Sequence, residues 1–190
     1  FLIYDYSLLK TLPLKEWQNG FAEIIKHACI KDAKMFKELS EQSIAKYRKQ
    51  PLLLGALIKR NAFIKIKVVQ EDEFETGERK LLNFGHTLGH AIENMYELSH
   101  GEAISIGMTY ATLMSQQLLL LKSAESIIQL LQRYGLPTVA SFDAEEAFKV
   151  MLKDKKRAAD TIQYILLGKI GKGVVQPIGI EQLKAIFKQF

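Results

Sequence analysis

The chain has 190 residues, 48% of them hydrophobic and 25% charged, which is ordinary for a soluble globular domain with one good core. The longest aliphatic run, Leu118 to Leu121, is far short of the roughly 20 apolar residues a membrane-spanning helix needs, and the N-terminus carries no basic, apolar, small-residue targeting pattern. A formal charge of +5 is spread along the chain without a basic arm or an aromatic-and-basic motif, so an anionic small substrate is expected rather than nucleic acid or a membrane, in a cytoplasmic setting.

The first helix is predicted from Pro13 to about Lys31, with Trp17, Phe21, Ile24 and Ile25 on its apolar positions. It contains the single cysteine, Cys29, whose apolar neighbours mark a buried, inert thiol. Asp32 caps a second, more charged helix expected to reach about Lys49, and Pro51 opens a third carrying Leu54, Leu57, Ile58 and Ile64. The acidic stretch Glu71-Asp72-Glu73, with Gly77, ends it.

Next comes Asn83-Phe84-Gly85-His86-Thr87-Leu88-Gly89-His90, followed by His100-Gly101-Glu102, so three of the chain's four histidines fall within fifteen positions. Read as one helix, the segment lines up Glu75, Arg79, Asn83, His86 and His90 at steps of four, four, three and four, with Leu81, Phe84, Leu88, Ile92 and Met95 mostly opposite. A solvated face would favour Lys and Glu; this one carries Asn and His beside Gly85 and Gly89, each costing roughly 0.8–1 kcal/mol relative to Ala inside a helix. Something is therefore expected to approach this helix closely.

Ser99 and Glu102 form a reciprocal capping pattern, predicting a helix from there to about Lys122 with His100 in its first turn. The positive end of that helix favours a neutral imidazole, the form a metal requires. Helices are also predicted over Ser123 to Tyr134 and Asp143 to Lys153. Thr161 to Leu167 and Val174 to Ile178 read as a hairpin turning within Gly168 to Gly173, and Ile180 to Phe190 as a closing helix. The fold class is thus mainly α, a multi-helix domain over residues 1–190 with one small C-terminal β-hairpin.

A catalytic zinc site uses about three protein ligands and leaves a position open. His86 and His100 are two candidates; the third is either His90, one turn after His86, or a carboxylate. Glu23 stands out among carboxylates because it is acidic within an apolar segment, with Lys26 at i+3. Taken alone, that pair reads as a surface ion pair worth about 0–1 kcal/mol.

Several segments, in order, carry a resemblance: Gly20-Phe21-Ala22-Glu23-Ile24-Ile25-Lys26, Lys65 before Val68-Val69, Asp72-Glu73-Phe74-Glu75, Leu81 through Glu93, His100-Gly101-Glu102-Ala103, Gly107-Met108 and Asp154-Lys155-Lys156. Together they resemble the C-terminal domain of the 3-dehydroquinate synthase family, through the whole chain. The resemblance implies that Glu23, His86 and His100 are zinc ligands, with cobalt as the alternative metal, and that His90 lies in the substrate site without binding metal. It implies that Lys65, Arg79, Asn83 and one of Lys155 or Lys156, with Lys155 preferred, hold the carboxylate, hydroxyls and phosphate of a small anionic sugar acid. Lys26 and Glu75 match positions lining the same pocket, giving Lys26, Glu75, Asn83 and His90 as the catalytic set. The family commonly has Arg where Phe74 stands and a small or apolar residue where Glu78 stands; neither matches a ligand position.

The implied reaction converts 3-deoxy-D-arabino-heptulosonate 7-phosphate to 3-dehydroquinate and phosphate in the shikimate pathway, through transient oxidation by NAD, elimination of phosphate, reduction and ring closure. The family places NAD on an N-terminal α/β domain, and no Gly-rich phosphate loop after a strand appears here. With Phe1 at the start rather than Met, the chain is expected to be the metal and substrate half of a longer, dimeric enzyme, inactive alone. The alternatives are a related sugar phosphate cyclase and a non-catalytic helical binding domain. The second leaves unexplained why Asn, His and Arg share one face.

Overall fold

A computed structural model of the chain describes residues 3–154 and 161–187. The fold is mainly helical, with a two-stranded antiparallel hairpin near the C-terminus, as expected. Helix α1 (Leu14–Lys31) follows Pro13 and buries Trp17, Phe21, Ala22, Ile25, Ala28, Cys29 and Ile30. Asp32 ends α1 and caps α2 (Ala33–Glu41), its carboxylate accepting from the Met35 N–H at 3.0 Å. The same carboxylate holds Arg60 of α4 (Pro51–Glu71) at 2.6 and 2.8 Å.

Where one helix is expected from Asp32 to Lys49, there are two. Helix α2 stops at Glu41, and α3 (Ile44–Lys49) restarts behind Ser43, whose hydroxyl accepts from the Lys46 N–H. The cause is phase: a continuous helix burying Met35, Phe36 and Leu39 would next bury positions 43 and 46, whereas the apolar residues Ile44 and Tyr47 lie one position later. A 3₁₀ turn over Tyr6–Thr11, organised by Asp5 accepting from the Ser7 N–H, lies ahead of α1 and carries no sequence expectation.

The histidine segment also departs from a single helix. Asp72 accepts from the backbone N–H groups of Thr76, Gly77 and Arg79, folding residues 72–77 into a loop in which Glu75 adopts a left-handed φ of 57°. A 3₁₀ turn (Glu78–Asn83) follows, Gly85 takes φ 81°, and only then does α5 (His86–Met95) begin. The apolar side is as expected: Leu81, Phe84, Leu88 and Ile92 are buried.

Helix α6 (His100–Leu119) is the centre of the molecule, packing on α1, α5, α7 (Ala124–Arg133) and the first strand. The close approach anticipated at Gly85 and Gly89 is made by α6, not by a ligand: a Cβ on Gly107 would fall 1.9 Å from the Gly85 carbonyl oxygen. Strands β1 (Thr161–Lys169) and β2 (Lys172–Gly179) pair Thr161 with Gly179 and Leu166 with Val174. The turn is tighter than the expected 168–173, with Lys169 paired to Lys172 and Gly171 at φ 81°; the Gly171 N–H donates to the Cys29 carbonyl at 2.8 Å, tying the turn to α1. Helices α8 (Ala144–Asp154) and α9 (Ile180–Phe187) complete the described chain. Among the described residues no helix is long and apolar enough to cross a membrane.

Candidate metal centre

The site is built where α1, α5 and the first turn of α6 meet. The Ser99 hydroxyl lies 2.7 Å from Asn19 Oδ1, and Gly101 leaves no Cβ to collide with Asn19, so the start of α6 lies directly on α1. Glu102 accepts from the Ser99 N–H at 2.8 Å, fixing that start. Glu23 is one turn along α1 from Asn19, and His100 is the first residue of α6. Gly85 turns the chain so that His86, opening α5, faces the same point.

Glu23 Oε1 lies 3.6 Å from His86 Nε2 and 3.7 Å from His100 Nε2, and ligand atoms of the three residues lie within 4.8 Å of one another. Each imidazole has its other nitrogen engaged: His86 Nδ1 donates to the Phe84 carbonyl at 3.2 Å, and His100 Nδ1 donates to the Glu93 carboxylate at 3.1 and 3.3 Å. Those bonds require a proton on Nδ1, so in the neutral form of each ring the Nε2 lone pair is directed at a carboxylate oxygen that is buried and has no hydrogen-bond partner. With both rings neutral, three electron-rich atoms converge, an unfavourable arrangement that a cation relieves. Tetrahedral zinc with bonds of about 2.0–2.2 Å separates its ligand atoms by roughly 3.3–3.6 Å, so two nitrogens and one oxygen at this spacing fit such an ion.

Electrostatics agree with that reading. Burial and the neighbouring Lys26 charge push His86 down to about 3, so its imidazole is neutral at physiological pH. Burial would raise the Glu23 carboxyl, but the Lys26 charge and hydrogen bond oppose it, and the carboxylate is held below its ordinary value. Lys26 donates to Glu23 Oε2 at 2.7 Å and is itself buried, so this is no surface pair. Burial lowers the Lys26 ammonium, Glu23 opposes that shift, and Lys65 adds to it.

The His90 ring stands 5.0 Å from that of His86 and 6.2 Å from that of His100, beside the trio. Lys65 is exposed on α4 and close enough to Lys26 to influence it. Asn83 donates to Glu75, and Arg79 donates to the Glu73 carbonyl, in the segment leading to His86. Lys155 and Lys156 lie outside the described residues. Phe74 is exposed, and Glu78 pairs with Lys31. Sequence reading passed over two contributors. Glu93 lies seven residues after His86 on the same face of α5, a spacing that was available; His27, buried and donating to Asn61 Oδ1 at 2.7 Å, had no local signal.

Residues 20–157 match the family model for the 3-dehydroquinate synthase C-terminal region. Curated relatives named 3-dehydroquinate synthase include those of Geobacillus thermodenitrificans, 38% identical over all of this chain and 53% of the relative, and Coxiella burnetii, 41% identical over 92% of this chain and 51% of the relative. In solved structures the fold is shared with 2-epi-5-epi-valiolone synthase from Streptomyces hygroscopicus subsp. jinggangensis, solved with NAD+ and Zn2+ bound (TM-score 0.86, 24% identity, 97% of this chain and 54% of that one). It is shared too with 2-deoxy-scyllo-inosose synthase complexed with carbaglucose-6-phosphate, NAD+ and Co2+ (TM-score 0.79, 24% identity, 96% of this chain and 55% of that one). The chain therefore has the fold of these two synthases over about half of each. The chain belongs to the 3-dehydroquinate synthase C-terminal family, and it spans about half the length of the curated relatives it matches.

Proposed function

We propose that this chain is the metal- and substrate-binding half of a 3-dehydroquinate synthase, acting on 3-deoxy-D-arabino-heptulosonate 7-phosphate together with an N-terminal NAD-binding domain. The observation that carries the reading is the meeting of Glu23 Oε1, without a hydrogen-bond partner, with Nε2 of His86 and Nε2 of His100. Glu23, His86 and His100 would hold the ion, zinc or cobalt; when bound, it would supply Lewis-acid stabilisation of charge developing on a substrate hydroxyl, and NAD on the other domain would supply the hydride chemistry.

The chain's own residues do the rest. His90, beside the trio, hydrogen-bonds a substrate hydroxyl and carries its proton; Lys26 keeps the Glu23 carboxylate ionised and oriented through its 2.7 Å bond. A substrate with a carboxylate and a phosphate brings about three negative charges, so cations are needed to offset its desolvation, with the Arg79 fork suited to paired oxygens. Lys65, Arg79 and one of Lys155 or Lys156 serve that role, Asn83 and Glu75 orient the hydroxyls, and the full-length enzyme works as a homodimer.

Phosphate release from the heptulosonate phosphate by the full-length enzyme, with NAD and zinc, is the direct assay. We expect turnover that falls at least ~10³-fold in His86→Ala, and no steady-state turnover by the 190-residue chain alone with NAD. Turnover instead on another sugar phosphate would favour a related cyclase, the second reading, which the fold shared with the inosose and valiolone enzymes supports. Absence of bound metal after reconstitution would favour a non-catalytic binding domain.

A further inference from the structure

We propose that Glu93 is a positioning residue for the metal centre: it fixes the tautomer and ring orientation of His100. The inference rests on the metal reading above and extends it to a residue outside the proposed ligand set. Helix α5 presents His86, His90 and Glu93 at i, i+4 and i+7, one continuous face. From the last turn of that helix both Glu93 oxygens reach His100 Nδ1, at 3.1 and 3.3 Å. A carboxylate there only accepts, so it requires the proton on Nδ1, and of the two neutral tautomers it selects the one whose lone pair is on Nε2, which faces Glu23 Oε1 at 3.7 Å. His86 needs no such partner, because the Phe84 carbonyl performs the same task for its Nδ1.

His100 is the least buried of the three ligand candidates, its side chain 46% exposed against 12% for His86. Packing therefore does little to hold its ring, and the bond to Glu93 is what selects one orientation. Glu93 also sits poorly with its own helix, since an anion in the last turn opposes the helix dipole. A carboxylate behind a ligating imidazole raises ligand basicity and holds its direction, and losing one typically weakens metal affinity 10–100-fold.

Two other roles are open to Glu93. It forms a second potential metal group with His90 and His100, and it lies close to the start of α6, where its charge could merely stabilise that helix. The test separates them. The Zn2+ affinity of the chain is measured by competition with a chromophoric chelator for wild type, Glu93→Ala, Glu93→Gln, His90→Ala and Glu23→Ala, with far-UV circular dichroism checking the fold. In parallel, long-range ¹⁵N–¹H spectra of the metal-free chain read the His100 tautomer, and the visible band of the Co2+-loaded chain reads ligand geometry.

We expect Glu93→Ala to weaken Zn2+ binding roughly 10–100-fold at unchanged stoichiometry, mix the His100 tautomers and shift the cobalt band, while Glu93→Gln, which keeps an acceptor oxygen, stays within roughly tenfold of wild type. His90→Ala should leave affinity within about threefold and Glu23→Ala should abolish it. Affinity and tautomer unchanged in Glu93→Ala would overturn the positioning role and leave only helix stabilisation. Loss of binding in both Glu93→Ala and His90→Ala, with Glu23→Ala still loaded, would make Glu93 a ligand instead. A wild-type chain that takes up no zinc would remove the metal centre itself, a result distinct from either.

Discussion

At the scale of single residues, the pair Glu23 and Lys26 shows how far spacing can mislead. Acid and base at i, i+3 ordinarily sit on a wet surface, and nothing local distinguishes this pair from that case. Here α4 lies against α1, and the Lys26 side chain retains 4% of its exposure. The neighbouring His27 is buried with it and pushed down to about 4, chiefly by burial and then by the Lys26 charge. Its ordinary value is about 6.5, so as pH falls the unfolded chain takes up a proton that the native chain refuses. The stability this imidazole contributes is thus complete above about pH 6.5 and declines toward pH 4. Urea midpoints should show His27→Gln losing about 2 kcal/mol less than wild type between pH 7 and pH 5. Parallel pH profiles for the two proteins would show that His27 is not buried neutral.

Elements are where the chain was easiest to read, and also where two errors arose. Caps and prolines placed α1, α4 and α6 to within a few residues, because Pro13, Pro51, Ser99 and Glu102 act on the backbone beside them. The interruptions at Gln42–Ser43 and Phe84–Gly85 were missed, because each answers to a distant surface: a core that needs Ile44 and Tyr47 inward, and an α6 backbone that needs room. Two glycine substitutions separate propensity from packing. Gly20→Ala adds a methyl that meets nothing within 4 Å in the interior of α1, and should stabilise the chain by about 0.5–1 kcal/mol. Gly107→Ala forces its methyl onto the Gly85 carbonyl and should cost about 3 kcal/mol or more, lowering zinc affinity as α5 is displaced. Equal denaturation midpoints for Gly107→Ala and wild type would mean α5 and α6 are not in such close contact.

For the molecule as a whole, the candidate ligands come from three helices whose relative placement is the tertiary fold. A cation held by all three binds the native state and not the unfolded chain, so it should stabilise by mass action: about 2.7 kcal/mol at a free concentration of 100 Kd. For a chain of this size that is a Tm rise of roughly 5–10 °C, reversed by a chelator and absent in His86→Ala. A Tm that ignores zinc across its whole solubility range would mean Glu23, His86 and His100 do not grip an ion together.

What the amino-acid order determined unaided was local: the helical class, most element ends, the hairpin, the buried apolar set and an inert Cys29. Caps, turn residues and the 3.6-residue period act between near neighbours and need no knowledge of the rest. It also carried the family, since its motifs recur in order along the chain. From spacing alone, however, the third member of the histidine cluster stayed open between His90 and a carboxylate. Only the packed structure brings Glu23 of α1 to His86 and His100, buries Lys26, and sets Glu93 behind His100. Those are relations between segments far apart in the chain, created when α6 packs against α1 and α5, and no local pattern encodes that distance.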